Sequence, residues 1–148
     1  MILTNPLKKH NQLLSFTLVI TFFVIIPFYG CNSSDDGKSL GHITSSFEFS
    51  NKATSIVNQH NGVGMMDKDD LDKFIYYKKQ ALEEAKLVDI HILNQKLDGF
   101  GDHFKAEYLK GLETLIDGHE NNNTGKFLEG QVLLDQWGLW FSKNGNRL

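Results

Sequence analysis

His103 and Glu107 stand four residues apart, the spacing that puts two side chains on one face of a helix and lets them share a metal ion. Zinc needs three or four protein ligands, and the additions that the chain offers are His91, Asp102 and the neighbours His119 and Glu120. Neither an HExxH pattern nor a paired-cysteine spacing is present, so no metal is assigned, and the pair reads as surface groups. The run DKDDLD over 67–72 invites a calcium reading. It departs from the EF-hand loop because Leu71 and Asp72 occupy the places of a ligand and a glycine, and Lys78 stands where a glutamate should close the loop. The same residues suit the first turn of a helix, where carboxylates offset the positive helix end. Ser, His and Asp are frequent, but no GxSxG elbow organises them, and no glycine-rich phosphate loop links a strand to a helix. The residues therefore predict no catalytic group and no cofactor; the expectation is a protein that is not an enzyme.

Aromatic side chains carry a second kind of chemistry, that of recognition. Trp137, Trp140 and Phe141 cluster near the C-terminus. Spacing turns Trp137 and Phe141 to one side, with Trp140 about 100° away from Phe141, toward the edge. Core packing is the default for the cluster. Trp140, with Tyr76 and Tyr77, forms the candidate interaction surface.

The one cysteine, Cys31, ends an unusual stretch. Lys8 and Lys9 lead into LLSFTLVITFFVIIPFYG over 13–30, which carries no charge. A basic start, an apolar run and a small residue before a cut are the parts of a secretory leader. Phe28-Tyr29-Gly30-Cys31 resembles the lipobox of bacterial lipoprotein precursors. The resemblance covers only the leader, with Phe28 where leucine is usual and Tyr29 where a smaller residue is commoner. It implies cleavage between Gly30 and Cys31, acylation of the Cys31 thiol, and a mature protein held in the bacterial envelope by lipid. The enterobacterial inner-membrane retention signal in this class is an aspartate after the cysteine; Asn32 stands there, which favours the outer membrane. An uncleaved signal anchor is a competing reading, since Leu13 to Tyr29 as a helix would measure roughly 25 Å, close to the hydrocarbon thickness; a buried soluble helix is the third, against which the lack of a polar face counts. A lone thiol forms no internal disulfide, and acylation would cap it.

Behind the leader (1–30) remain 118 residues, enough for one domain. They hold all 18 acidic residues against 13 of the 15 basic ones, leaving a charge of −5. That balance lacks the footprint of a nucleic-acid-binding domain and would not draw the domain to anionic lipid. NSSDDGKSLG over 32–41 has the composition of a flexible tether, so the expected layout is a tether at 31–41 and a helical domain at 42–148.

Helix-period patterning dominates that domain. A short helix is expected over Ser50 to Gln59. Asp67, Asp69 and Asp70 open a helix that runs to about Val88 with Leu71, Phe74, Ile75, Lys78, Leu82, Ala85 and Val88 on one face, Lys78 reaching water at its edge. Asp89 caps a short helix over Ile90 to Leu97. Asp102 caps the next, which carries Phe104, Tyr108, Leu112, Leu115 and Ile116 inward and closes at Asp117-Gly118. Thr124 begins the last, with Phe127, Leu128, Leu134, Trp137 and Phe141 inward. The fold class is all-α, a small up-and-down bundle of three to four helices. Gly111 and Gly130 each cost a helix about 1 kcal/mol against alanine, which predicts a close helix crossing with the two opposite one another.

The functional expectation is a lipid-anchored envelope protein that binds a protein partner and no nucleic acid. An immunity or exclusion protein against a toxin or phage is the sharper variant, motivated by small size, acidity and anchoring. A carrier of an apolar small molecule, housed where inward glycines leave room, is the third.

Overall fold

Alternating polar loops and helix-period segments fold as that pattern dictates: the computed structural model describes residues 34–60 and 62–147, and among them every regular element is helical. The order is α1 (Ser34–Gln59), a 3₁₀ turn (Val63–Met65), α2 (Lys68–Lys86), α3 (Ile90–Lys96), α4 (Phe100–His103), a π-helical segment (Phe104–Leu109), α5 (Lys110–Glu120), α6 (Thr124–Asn144) and a closing 3₁₀ turn (Gly145–Arg147). α4, the π segment and α5 run on as one rod. Among the described residues the bundle therefore has five helices, four long and one short. Antiparallel hairpins α1–α2 and α5–α6 make its two halves.

Helix starts follow local chemistry. The Asp67 carboxylate accepts from the Asp70 N–H at 2.9 Å, with Asp69 and Asp70 in the first turn of α2. Asp89 accepts from the His91 N–H at 2.8 Å at the head of α3, and Asn123 from the Lys126 N–H at 3.0 Å at the head of α6. Each occupies a free donor of a helix terminus.

Three boundaries differ from expectation. The stretch read as a tether is helical from Ser34, and α1 is 26 residues long instead of ten. Small polar residues mislead here because they are packing residues: Ser39 and Leu40 are buried, and Ser39 Oγ accepts from the Asp89 N–H at 2.8 Å. Asp102 is no cap. Gly99, at φ 75°, makes the turn into α4, and the Gly101 N–H donates to the Asn94 side chain at 2.7 Å. Gly118 closes nothing either, since α5 continues to Glu120 and the left-handed residue of the turn is Asn122 at φ 49°. A Cβ on Gly118 would run into the backbone of Phe127, so its missing side chain serves the return of the chain into α6.

The core follows the predicted faces of α2 and the α4–α5 rod. Phe74, Phe100, Phe104, Leu93, Leu112 and Leu115 are at most 2 % exposed. The π segment has a geometric reason. An α-helix overshoots a full turn by about 40° every four residues, and wider i→i+5 winding undershoots it, so Phe100, Phe104 and Tyr108 are kept in one line toward the core. On α6, Trp137 and Phe141 are buried as expected, but Leu128 is 57 % exposed. The approach of Gly130 to Leu115 fixes the rotation of α6 and turns Leu128 outward.

Gly111 and Gly130 both lie in the α5–α6 seam, offset by a helical turn from direct opposition. Gly130 abuts the Leu115 backbone, while Gly111 faces the side chains of Leu133 and Leu134. The pairs 111/134, 115/130 and 118/127 are centred between Asn122 and Asn123, because α5 runs past Gly118.

Candidate interaction surface

Tyr76 sits on the outer side of α2 and is 57 % exposed. Beside it, α2 and the end of α5 border a shallow, wide-open cleft of about 530 Å³, lined by Asp72, Ile75, Tyr76, Lys79, His119, Glu120 and Asn122. The helix period explains the lining: 72, 75, 76 and 79 share one face of α2. Buried Ile75 ties that face to the core. Lys79 and Glu120 form an ion pair across the cleft at 2.5 Å. At the adjoining loop, Asp117 pairs with Lys126 at 2.6 Å and accepts from the Asn121 amide at 2.6 Å. The Lys126 hydrogen bond holds the Asp117 carboxyl below its ordinary range, and the same bond raises the Lys126 amine. An exposed aromatic ring among donors and acceptors suits recognition of a protein surface.

The other aromatic candidates, Trp140 and Tyr77, are half-buried and also make packing contacts. Trp140 is half-buried, its ring stacked with His103 at 4.6 Å, Trp137 at 5.6 Å and Phe100 at 5.9 Å. Tyr77 packs against the core beside Lys52, whose Nζ lies 6.0 Å from its ring centre, and the Tyr76 ring meets it edge-on at 5.4 Å. Leu128, Val132 and Leu139 expose an apolar stripe on the outer side of α6.

The metal candidates do not converge. His103 Nδ1 pairs with Glu107 Oε1 at 2.8 Å, and Glu107 Oε2 is buried without a hydrogen-bond partner. Among the described residues no three His, Cys, Asp or Glu side chains are grouped to hold an ion. His91 has its backbone N–H on the Asp89 cap, Asp102 takes a hydrogen bond from Asn94 at 3.3 Å, and His119 and Glu120 belong to the cleft. The DKDDLD residues open α2. There, hydrogen bonds from Lys73 and then His60 lower the Asp70 pKa.

Two polar features inside the bundle escaped the sequence reading. Tyr108 OH donates to the Ser46 carbonyl at 3.1 Å and lies 2.7 Å from Ser50 Oγ and 2.9 Å from Ser46 Oγ. Ser46 Oγ in turn donates to the Ala81 carbonyl at 2.7 Å. Burial pushes the phenol up to about 12. Lys78 is buried at 7 % exposure rather than perched at an edge, its Nζ 5.5 Å from the centre of the Phe74 ring. Loss of water pulls its pKa down to about 8, opposed by the charge of Asp135 on α6. A helical face that is apolar around one serine or lysine carries no signal of the partner that makes the polar group tolerable.

Gly30 and Cys31 lie outside the described residues. No helix among the described residues is long and apolar enough to cross a membrane. Comparison with known protein families, with curated proteins and with solved structures finds no match for the chain.

Proposed function

We propose that this is a small envelope lipoprotein, anchored by acyl chains on Cys31, whose bundle is a non-enzymatic module for binding a protein partner. The observation that carries the reading is the Lys8-Lys9 pair followed by the uncharged run ending at Gly30-Cys31. Two acyl chains or more hold a protein stably on a bilayer, whereas one does so only marginally. Support for the binding role comes from the cleft beside Tyr76. The register set by Ser46 against Ala81 and His60 against Asp70 puts Tyr76 on the order of 25 Å along α1 from Ser34. An anchor at one end would thus present the cleft away from the lipid. The carrier reading loses its motive, since the inward glycines leave no spare room: their space is taken by Leu115, Phe127, Leu133 and Leu134.

Mass spectrometry of membrane-extracted protein tests the anchor. The expected product starts at Cys31 and carries a diacylglycerol, and Cys31→Ser moves the protein out of the membrane fraction. An intact leader with a free thiol overturns the reading. For the binding role, a photo-crosslinker at Tyr76 yields a discrete adduct in the cell, while one at Leu128 does not.

A further inference from the structure

The start of α1 limits how far the bundle can stand from its anchor. Ser34 is already helical, so only Asn32 and Ser33 separate that helix from Cys31. Three residue steps span at most about 11 Å even when fully extended. A 26-residue helix joined so closely to an acylated residue has one end at the headgroups.

That end of the bundle is well defined. Asp36 pairs with Lys96 of α3 at 3.7 Å, Ser39 holds the Asp89 N–H, and His42 pairs with Glu84 at 2.8 Å. The first turns of α1, the last turn of α2 and the head of α3 therefore lie together. The residue that terminates α2 there is Leu87, a large apolar side chain 60 % exposed. Its backbone N–H is engaged with the carbonyls of Glu84 and Ala85, which fixes the turn that displays it. The turn itself carries Glu83, Glu84 and Asp89 against Lys86, with Asp36 and Lys96 paired to one another beside it, an acidic rim. Such a rim gains nothing from anionic lipid, so the chemistry fits a zwitterionic headgroup layer.

We propose that the α2–α3 turn rests on the lipid surface that holds Cys31, with Leu87 entering the interfacial layer and the bundle standing on that end. This rests on the lipoprotein reading above, and the experiment separates the two. Full-length Leu87→Cys protein, extracted from membranes, is labelled with a fluorophore and reconstituted into phosphatidylcholine vesicles containing a headgroup-level nitroxide lipid. His91→Cys, on the same end, and Leu128→Cys, at the start of α6, are treated alike. Acylation at Cys31 leaves the introduced thiol as the one site for the dye. Labels at 87 and 91 are expected to be quenched several-fold more strongly than the label at 128. Equal quenching at the three positions, on protein whose mass shows an acylated Cys31, overturns the docking and leaves the anchor standing. A mass showing an intact leader and dye on Cys31 overturns both.

Discussion

The two hairpins bring their helices close by opposite means. Between α1 and α2 the seam is built from small polar side chains that bring their own hydrogen-bond partners: Ser46 to Ala81, Ser39 to Asp89, and at the rim His42 to Glu84 and His60 to Asp70. Between α5 and α6 the seam is built from missing side chains, with Gly130 against the Leu115 backbone and Gly118 against that of Phe127. A seam of buried serines fails when a hydroxyl loses its partner. A seam of glycines tolerates neither a methyl group nor a shift of register.

Substitution at the glycine seam has the largest expected effect. Gly130→Ala places a Cβ inside the backbone of Leu115, where no flexible side chain can yield. Overpacking of this kind costs about 1–3 kcal/mol or more, and the roughly 1 kcal/mol of improved helix propensity does not offset it. A net loss of about 2 kcal/mol, read from the urea midpoint, is expected. Gly37→Ala, with open space around it, gains about 0.5–1 kcal/mol. Equal behaviour of the two variants would erase the distinction between the hairpins.

Next comes the serine seam. Tyr108→Phe takes the hydroxyl from between Ser46 and Ser50 and costs about 1–2 kcal/mol. It also changes the pH profile. The folded phenol titrates at about 12 and an unfolded one near 10, so the unfolded chain gives up its proton first. Stability contributed by this group is complete below pH 10 and falls between 10 and 12. Thermal unfolding across that range shows a fall in the parent protein and a weaker one in Tyr108→Phe.

The smallest effect lies where the hairpins meet, at Lys78 of α2 facing Asp135 of α6. The folded amine is pulled down to about 8 from 10.5, so the folded state binds the proton less well than the unfolded one. The penalty is full below pH 8 and is relieved as pH rises from 8 to 10.5. Lys78→Met is expected to stabilise the fold at pH 7 by about 1 kcal/mol and to remove that rise. A destabilised Lys78→Met would show instead that the charge pairing outweighs the loss of water.

What was legible followed from periodicity. Apolar residues at three- and four-residue spacing marked α2, the inner line of the α4–α5 rod and most of α6, because burial of one face is what makes a helix of this length stable. Ser39, Ser46 and Ser50 hid α1, since a hydroxyl looks like a loop residue until its partner on another helix is known. The cleft was half legible: Tyr76 stood out as an aromatic and Lys79 shares its helix face, but His119 and Glu120 stand 43 and 44 residues further along the chain and meet Tyr76 only in tertiary space.

From the order of residues alone came the all-α class, the caps Asp67 and Asp89, the acidic balance and the uncharged run ending at Cys31, all of them local or compositional properties. Tertiary packing decided the length of α1, the register of α5 on α6, the burial of Lys78 and the meeting of Tyr76 with the end of α5. Each depends on which surface comes to lie opposite, and that is a property of two segments together.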